Sequence, residues 1–217
     1  MRIMVTSGPT RAWIDRIRYI ANTSSGALGA RIVEACAARG LAVLHLSGKG
    51  SEQSVPAESA RVHTTVIETA DDLIAAVHEA ADAGDIGVVV HAMAVLDYAP
   101  AERLTEKKLS GDEVWSLTLA RTTKVTGIIR ERMPDVPVIG FKLEAGVDER
   151  ELIRRAGVSR DHCGLAAVVA NDLDRVGPDR HEALLLGRDN EVLARCTTKL
   201  EIAAAVADTV ASLVDDR

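Results

Sequence analysis

Aromatic side chains make up only 2% of this 217-residue chain. Trp13, Tyr19, Tyr98, Trp115 and Phe141 are therefore examined singly, each more readily core filler than a stacking platform for a ligand. Cysteine is equally sparse: Cys36, Cys163 and Cys196 are odd in number and widely spaced, with no C-x-x-C pair. That pattern excludes a disulfide framework and a structural zinc site, and a reducing cytoplasm fits it best. An excess of positive charge is also missing, the formal charge being −6, which argues against a nucleic-acid partner. Nucleotides stay open, because a phosphate needs only a local positive site. No charged-then-apolar leader opens the chain and no apolar run is long enough to cross a bilayer, so no membrane association is expected. What remains, 47% hydrophobic and 27% charged residues, suits one globular domain over 1–217 with a sizeable core.

Residues 2–6 are apolar and β-branched with little alternation, as in a parallel strand buried on both faces. Leu28, Ile32, Val33 and Cys36 trace the apolar face of a helix over 27–39, and Gly40 stops it before a second strand at 41–46. This is a β-α-β unit, for which a right-handed crossover is preferred. Further strands are predicted at 62–67, 86–90, 114–121, 136–141 and 165–170, and helices at 71–83, 123–133 and 149–157. A hairpin turns on Arg188-Asp189-Asn190, and an amphipathic helix over 198–214 closes the chain. The predicted fold is α/β, a Rossmann-like doubly wound, mostly parallel sheet with helices on both faces and a late antiparallel hairpin.

The chain is organised around Asn22-Thr23-Ser24-Ser25-Gly26-Ala27-Leu28-Gly29, between the first strand and the first helix. Hydroxyls and glycines at a helix start form either an ordinary N-cap or a phosphate cradle. The turn Ser7-Gly8-Pro9-Thr10 favours the cradle, because it follows a buried strand, where open α/β sheets gather ligands. Arg11, Arg16 and Arg18 could reach a substrate anion or a neighbouring subunit. His45 is read as a core or edge histidine, since no second ligand stands at metal spacing. Asp97, just past the strand at 86–90, either caps a turn or faces substrate. Lys107-Lys108, beside Ser110-Gly111, is either solvated surface or a flap that lays an ammonium on phosphate oxygens. Asn171-Asp172 ends another strand, and the polar strand ends together point to one shared cleft.

Several separate motifs in register resemble one family. Ser7-Gly8-Pro9-Thr10, Arg18-Tyr19-Ile20-Ala21-Asn22-Thr23-Ser24-Ser25-Gly26, Ala94-Val95-Leu96-Asp97-Tyr98, Gly140-Phe141-Lys142-Leu143-Glu144 and Ala170-Asn171-Asp172 are similar, in order and spacing, to phosphopantothenoylcysteine synthetases. The resemblance is to the free-standing form, since nothing precedes Met1 that could be a flavin-dependent decarboxylase, and it implies no FMN. It implies a coenzyme A biosynthesis ligase that joins 4′-phosphopantothenate to L-cysteine through an acyl-nucleotidylate. Its co-substrate would be CTP with Mg²⁺, ATP being the less favoured choice. By the same resemblance, Gly8, Ser24, Ser25, Gly26 and Gly29 line the triphosphate site, with Phe141, Lys142 and Asn171 near the nucleotide. Met93, Ala94 and Asp97 hold the acid, Asn22 steadies the intermediate, and Arg18 reaches the partner's substrate in a homodimer. Lys108 is the flap lysine, with Lys107 as runner-up.

Four departures from the family pattern bear on the acyl substrate. Leu96 stands for a small residue, Met93 for alanine and Thr123 for proline, while Arg155 and Arg160 replace lysines that often contact the triphosphate. A paralogue acting on another carboxylate is therefore one alternative. An NAD(P)-dependent oxidoreductase is another, weakened by the lack of G-x-G-x-x-G and Tyr-x-x-x-Lys. A nucleotide sensor that binds without releasing pyrophosphate is the third.

Overall fold

The computed structural model describes residues 1–52, 60–104, 106, 111, 113–177 and 180–215. Strand β1 (Arg2–Ser7) lies near the middle of an eight-stranded sheet and is almost wholly buried. It pairs in parallel with β4 (Val43–Gly48) on one side and β6 (Ile86–His91) on the other. Beyond β4 lies β5 (Val62–Ile67); beyond β6 lie β9 (Val138–Glu144) and β10 (Ala167–Val176), all parallel. The antiparallel hairpin of β11 (His181–Leu186) and β12 (Val192–Cys196) closes that end. Its turn holds Asp189 and Asn190 at positive φ, which suits their short polar side chains.

Helices cover both faces. Helices α1 (Ala27–Ala38) and α5 (Lys199–Asp215) pack on one face over Ile3, Val5, Val43, Val88, Val90 and Ile139. The other face carries α2 (Ala70–Ala83) and α3 (Val125–Arg132) over Met4, Leu44, Leu46 and Val89, with α4 (Glu149–Cys163) over Val168 and Ala170. Alternate strand residues thus feed alternate cores, and each buried aliphatic side chain stabilises by about 1.5–3 kcal/mol. The chain winds outward from β1 to β4 and β5, then returns to β6 and winds outward the other way. Strand order reverses at the β1–β6 seam, at whose carboxyl edge such sheets bind ligands.

Three expectations need correction, and one element is added. Only Leu119–Arg121 of the strand expected at 114–121 is extended, as β8, and it pairs with β7 (Tyr98–Pro100) outside the main sheet. Val114 is 78% exposed, so no core holds the rest of that run in a sheet. Residues 11–21 form a second small hairpin, β2 (Arg11–Trp13) with β3 (Tyr19–Ala21). Strand β4 starts at Val43 rather than Leu41. Helix α4 runs past Gly157 to Cys163, stopping at the left-handed Gly164. Gly157 is no breaker, because it lets Asn190 of the β11–β12 turn pack against the helix; a Cβ there would lie 2.1 Å from Asn190 Oδ1.

Gly29 plays a similar part, for a Cβ on it would stand 2.1 Å from Ser7 Cβ. Gly29→Ala is therefore expected to destabilise the protein by about 1–3 kcal/mol. Gly127→Ala, at an exposed site in α3 with nothing within 4 Å, should stabilise it by roughly 0.5–1 kcal/mol. Urea unfolding of both variants checks this, and equal effects of the same sign would refute the packing argument.

Candidate nucleotide and acid site at the strand reversal

At the seam, three chain segments meet backbone to backbone. Gly8, after β1, and Gly26, before α1, have φ of +79° and +77°, the left-handed region that favours glycine. A Cβ on Gly8 would lie 1.9 Å from Ser51 Oγ, and one on Gly26 would lie 2.7 Å from Ser51 Cβ and 3.3 Å from Gly8 Cα. A Cβ on Gly48, at the end of β4, would strike Pro9 O at 2.5 Å. Side chains are excluded here by contact as well as by conformation.

The start of α1 is bare. Its N-cap is Gly26, without a side-chain hydrogen bond, whereas α2 carries a Thr69–Asp72 capping box and α4 an Asp148 cap. Ser25 Oγ accepts only from Ala27 N, at 3.3 Å, and the Ser24 N–H donates to Asn22 O. The ordinary capping role weighed for this stretch is therefore largely unfilled by side chains, in contrast to the starts of α2 and α4.

Beyond the sheet, residues 6–10 and 91–95 continue side by side: Ala92 N donates to Thr6 O and Ala94 N to Gly8 O. Asn22 Nδ2 donates across to Ala94 O and Val95 O at 3.2 and 3.3 Å. Asn22, Ala94, Gly8 and Gly26 are thus brought together. Met93 and Leu96 turn inward, only 6% and 9% exposed, and Met93 packs in the core with Leu73 and Ile129. Only the backbone of Met93 borders the seam, so its side chain does not narrow an open pocket.

The other expected residues are spread along the same edge. Phe141 packs against the α1 core, while Asn171 Nδ2 lies 3.3 Å from His181 Nε2 on the neighbouring strands. Lys142 points to the α4 face and pairs with Glu144 at 2.9 Å, and Glu144 also holds Arg155 at 2.7 Å. Those two cations keep the Glu144 carboxyl below its usual range, the Lys142 hydrogen bond acting most strongly. Asp97 is exposed and paired with Lys124 at 2.5 Å. Arg18 folds back on the buried Asp15 at 2.6 Å, with its guanidinium over Trp115. Lys107 and Lys108 lie outside the described residues.

One expectation is met only in part and another fails. The Asp172 carboxylate accepts from the backbone N–H groups of Gly146, Val147 and Asp174 and so staples a loop, although the residue also lines a cavity on this edge. Arg160 is 5% exposed, donates to Gly187 O and pairs with Asp161 at the far end of α4, away from the carboxyl edge. A cavity of about 160 Å³ does open at the β10–β12 end of that edge. Its charges pair with one another, Arg195 with Glu149 at 2.8 Å and Arg175 with Glu182 at 3.6 Å, so it offers no unmatched cation to a phosphate.

One buried contact was not foreseen. Ser7 Oγ lies 2.7 Å from His45 Nε2, both residues being wholly buried under α1. A serine–histidine pair invites a nucleophile reading, but no substrate reaches it there. The burial pushes the His45 imidazole down to about 4.

This is a Rossmann-like doubly wound α/β domain whose strand-reversal edge brings the backbones of Gly8, Gly26 and Gly48 into close contact with their neighbours. The chain belongs to the DNA/pantothenate metabolism flavoprotein C-terminal domain family, whose model matches residues 1–214. It is 34% identical over 213 residues to the coenzyme A biosynthesis bifunctional protein CoaBC of Thermococcus kodakarensis, covering 98% of this chain and 51% of that protein. The chain therefore spans about half the length of the curated relatives it matches. The crystal structure of the DNA/pantothenate metabolism flavoprotein from Streptococcus pneumoniae has a TM-score of 0.87 at 30% identity, covering 98% of this chain and 99% of that one. The C-terminal domain of a coenzyme A biosynthesis bifunctional protein CoaBC follows at 0.77 and 25%, covering 100% and 96%. The resemblance drawn from the motifs is borne out at the level of the family.

Because the folded imidazole of His45 titrates well below the usual value near 6.5, only the unfolded chain takes up its proton as pH drops from there. Stability is expected to fall by about 3 kcal/mol for this group between pH 6.5 and pH 4. Urea unfolding at pH 5 and pH 7 measures it, and His45→Gln should lessen the slope without abolishing it, because burial lowers His91 as well. An unchanged slope in that variant would show that another group sets it.

Proposed function

We propose that this chain is a phosphopantothenate–cysteine ligase of coenzyme A biosynthesis that uses CTP and passes through an acyl-cytidylate. The observation that carries the reading is the contact of Gly8, Gly26 and Ser51 under the uncapped start of α1, beside the Asn22 amide. Its relatives are coenzyme A biosynthesis bifunctional proteins by name, which supports the reading.

The chemistry follows from the geometry. A carboxylate oxygen of 4′-phosphopantothenate attacks the α-phosphorus, the bond to the bridging oxygen breaks and pyrophosphate leaves. Two anions must approach, so the free N–H groups at the start of α1 take up triphosphate charge there. The glycine backbones let the phosphates come to contact distance. Asn22 donates to the acyl oxygen without supplying a proton, exchanging its present carbonyl partners for it. The cysteine amine then attacks the acyl carbon, CMP leaves with the bonding electrons, and the ammonium loses a proton to form the amide. Ser24, Ser25 and Gly29 border the triphosphate in this reading, Phe141 and Asn171 the nucleoside, Ala94 and Asp97 the acid, and Lys142 and Lys108 supply cations.

Among the described residues no group of three or more His, Cys, Asp or Glu is placed to hold a metal ion. In this reading the Mg²⁺ comes with the nucleotide as a co-substrate complex, held mainly by phosphates and water. A homodimer is part of the proposal. Ile17, Tyr19, Tyr98, Trp115, Leu117 and Leu119 are all at least 38% exposed and crowd the two small hairpin sheets, an apolar surface that a second copy would cover. Arg18 on that surface then reaches the partner's acid.

Protein mixed with CTP, Mg²⁺ and 4′-phosphopantothenate is expected to release pyrophosphate, and added cysteine to give CMP and the amide. Mass spectrometry without cysteine should find the acyl-cytidylate. If nucleotide binds but no pantothenate-like acid releases pyrophosphate, the assignment fails. Asn22→Asp, which sets a carboxylate against Ala94 O and Val95 O, should slow single-turnover activation by roughly 10²-fold. Unchanged kinetics would remove Asn22 from the mechanism.

A further inference from the structure

His91 ends β6 at the seam itself, paired in register with Thr6 of β1. Thr6 is wholly buried, and its Oγ1 has two neighbours: it accepts from Met93 N at 3.2 Å and lies 2.8 Å from His91 Nδ1. A hydroxyl carries one proton and must place it. If Nδ1 carried a hydrogen, two donors would converge on Oγ1 and the hydroxyl proton would be buried without an acceptor, at a cost of about 1–3 kcal/mol. The arrangement that satisfies every atom runs from Met93 N–H to Thr6 Oγ1–H to His91 Nδ1. The imidazole is then neutral, with its hydrogen on Nε2.

The protein packed around the ring agrees, pushing it down to about 4, so it stays uncharged at neutral pH. His91 as a whole is only partly buried, at the carboxyl end of β6. Among the described residues Nε2 has no hydrogen-bond partner and it is not one of the fully buried orphaned atoms, so it retains some access to solvent there. From His91 the chain runs directly along residues 92–95 to the carbonyls that hold the Asn22 amide.

We propose that His91 donates from Nε2–H to a neutral acceptor oxygen, carbonyl or hydroxyl, of the carboxylic acid bound at the seam, and so positions that acid. This rests on the ligase reading above. A fixed neutral donor suits a neutral oxygen, while the anionic groups are met by the start of α1 and by the lysines. Thr6 is the positioning residue behind it, because its hydroxyl proton sets which ring nitrogen faces the ligand.

Two isosteric variants separate this role from a structural one. His91→Asn sets an amide oxygen where Nδ1 stood, keeping an acceptor for Thr6 while removing the outer donor. His91→Gln sets an amide nitrogen where Nε2 stood and gives up the Thr6 contact. Steady-state assays are expected to show KM for 4′-phosphopantothenate raised roughly 3- to 10-fold in His91→Asn and nearly restored in His91→Gln, with KM for CTP unchanged in both. Thermal melts of both variants report whether each folds. If instead His91→Asn has the wild-type KM and His91→Gln does not, the contact with Thr6 alone matters and the proposal is overturned. Long-range ¹H–¹⁵N spectra of the wild-type protein should show the neutral Nε2–H tautomer at pH 7, and the Nδ1–H tautomer would also overturn it. If wild-type protein turns over no pantothenate-like acid, the ligase reading falls first and this inference with it. An active wild type with unresponsive variants sinks the inference alone.

Discussion

The structure depends on a steric constraint at one point, where the end of β1, the start of α1 and the loop after β4 touch without side chains between them. Gly8 and Gly26 both take positive φ and both press on Ser51. Gly29, one turn on, lets α1 settle against Ser7. Any Cβ in this contact would push α1 off the sheet or lift the loop. The same bareness that permits the packing leaves the start of α1 without a side-chain cap, so the close contact and the uncapped helix start have one cause.

Much of the sheet was legible because parallel strands buried on both faces are written as unbroken apolar runs. Residues 2–6, 86–90 and 165–170 are such runs; the structure extends the first two by one residue each, while the third starts at Ala167 and carries on to Val176. The hairpin of β11 and β12 followed from alternation around a polar turn. What the pattern hid was tertiary. The run at 114–121 alternates like a strand, yet apart from three residues paired to β7 it finds no edge to join. Gly157 looked like a helix stop when only its propensity was visible; the Asn190 side chain that explains it is 33 residues away in sequence and arrives with the fold.

The site was legible in its backbone and less so in its side chains. Gly8, Gly26, Asn22 and Ala94 lie far apart in sequence and meet because short motifs at strand ends share one edge. Asp172 misled because a carboxylate after a buried strand looks the same whether it greets a ligand or staples its own loop, and three backbone donors decide for the loop. Arg160 misled for a geometric reason, since sequence position says nothing about which end of a helix meets the carboxyl edge. Glu144 was quoted in a motif but given no part. Only the structure shows it between two cations.

That chain of charges, which continues from Arg155 to Glu151 and Arg154, has its own consequence. Lys142 is already committed to Glu144, so a phosphate arriving at this lysine takes part in an exchange of partners, and the free energy it gains is the difference between two ion pairs. Arg155 remains on the abandoned carboxylate and keeps it from being stranded. In the proposed reading the arrangement would work as an ion exchanger, discriminating between anions by how far each outcompetes a resident carboxylate, so a singly charged acid would have little to gain there and a polyphosphate much more.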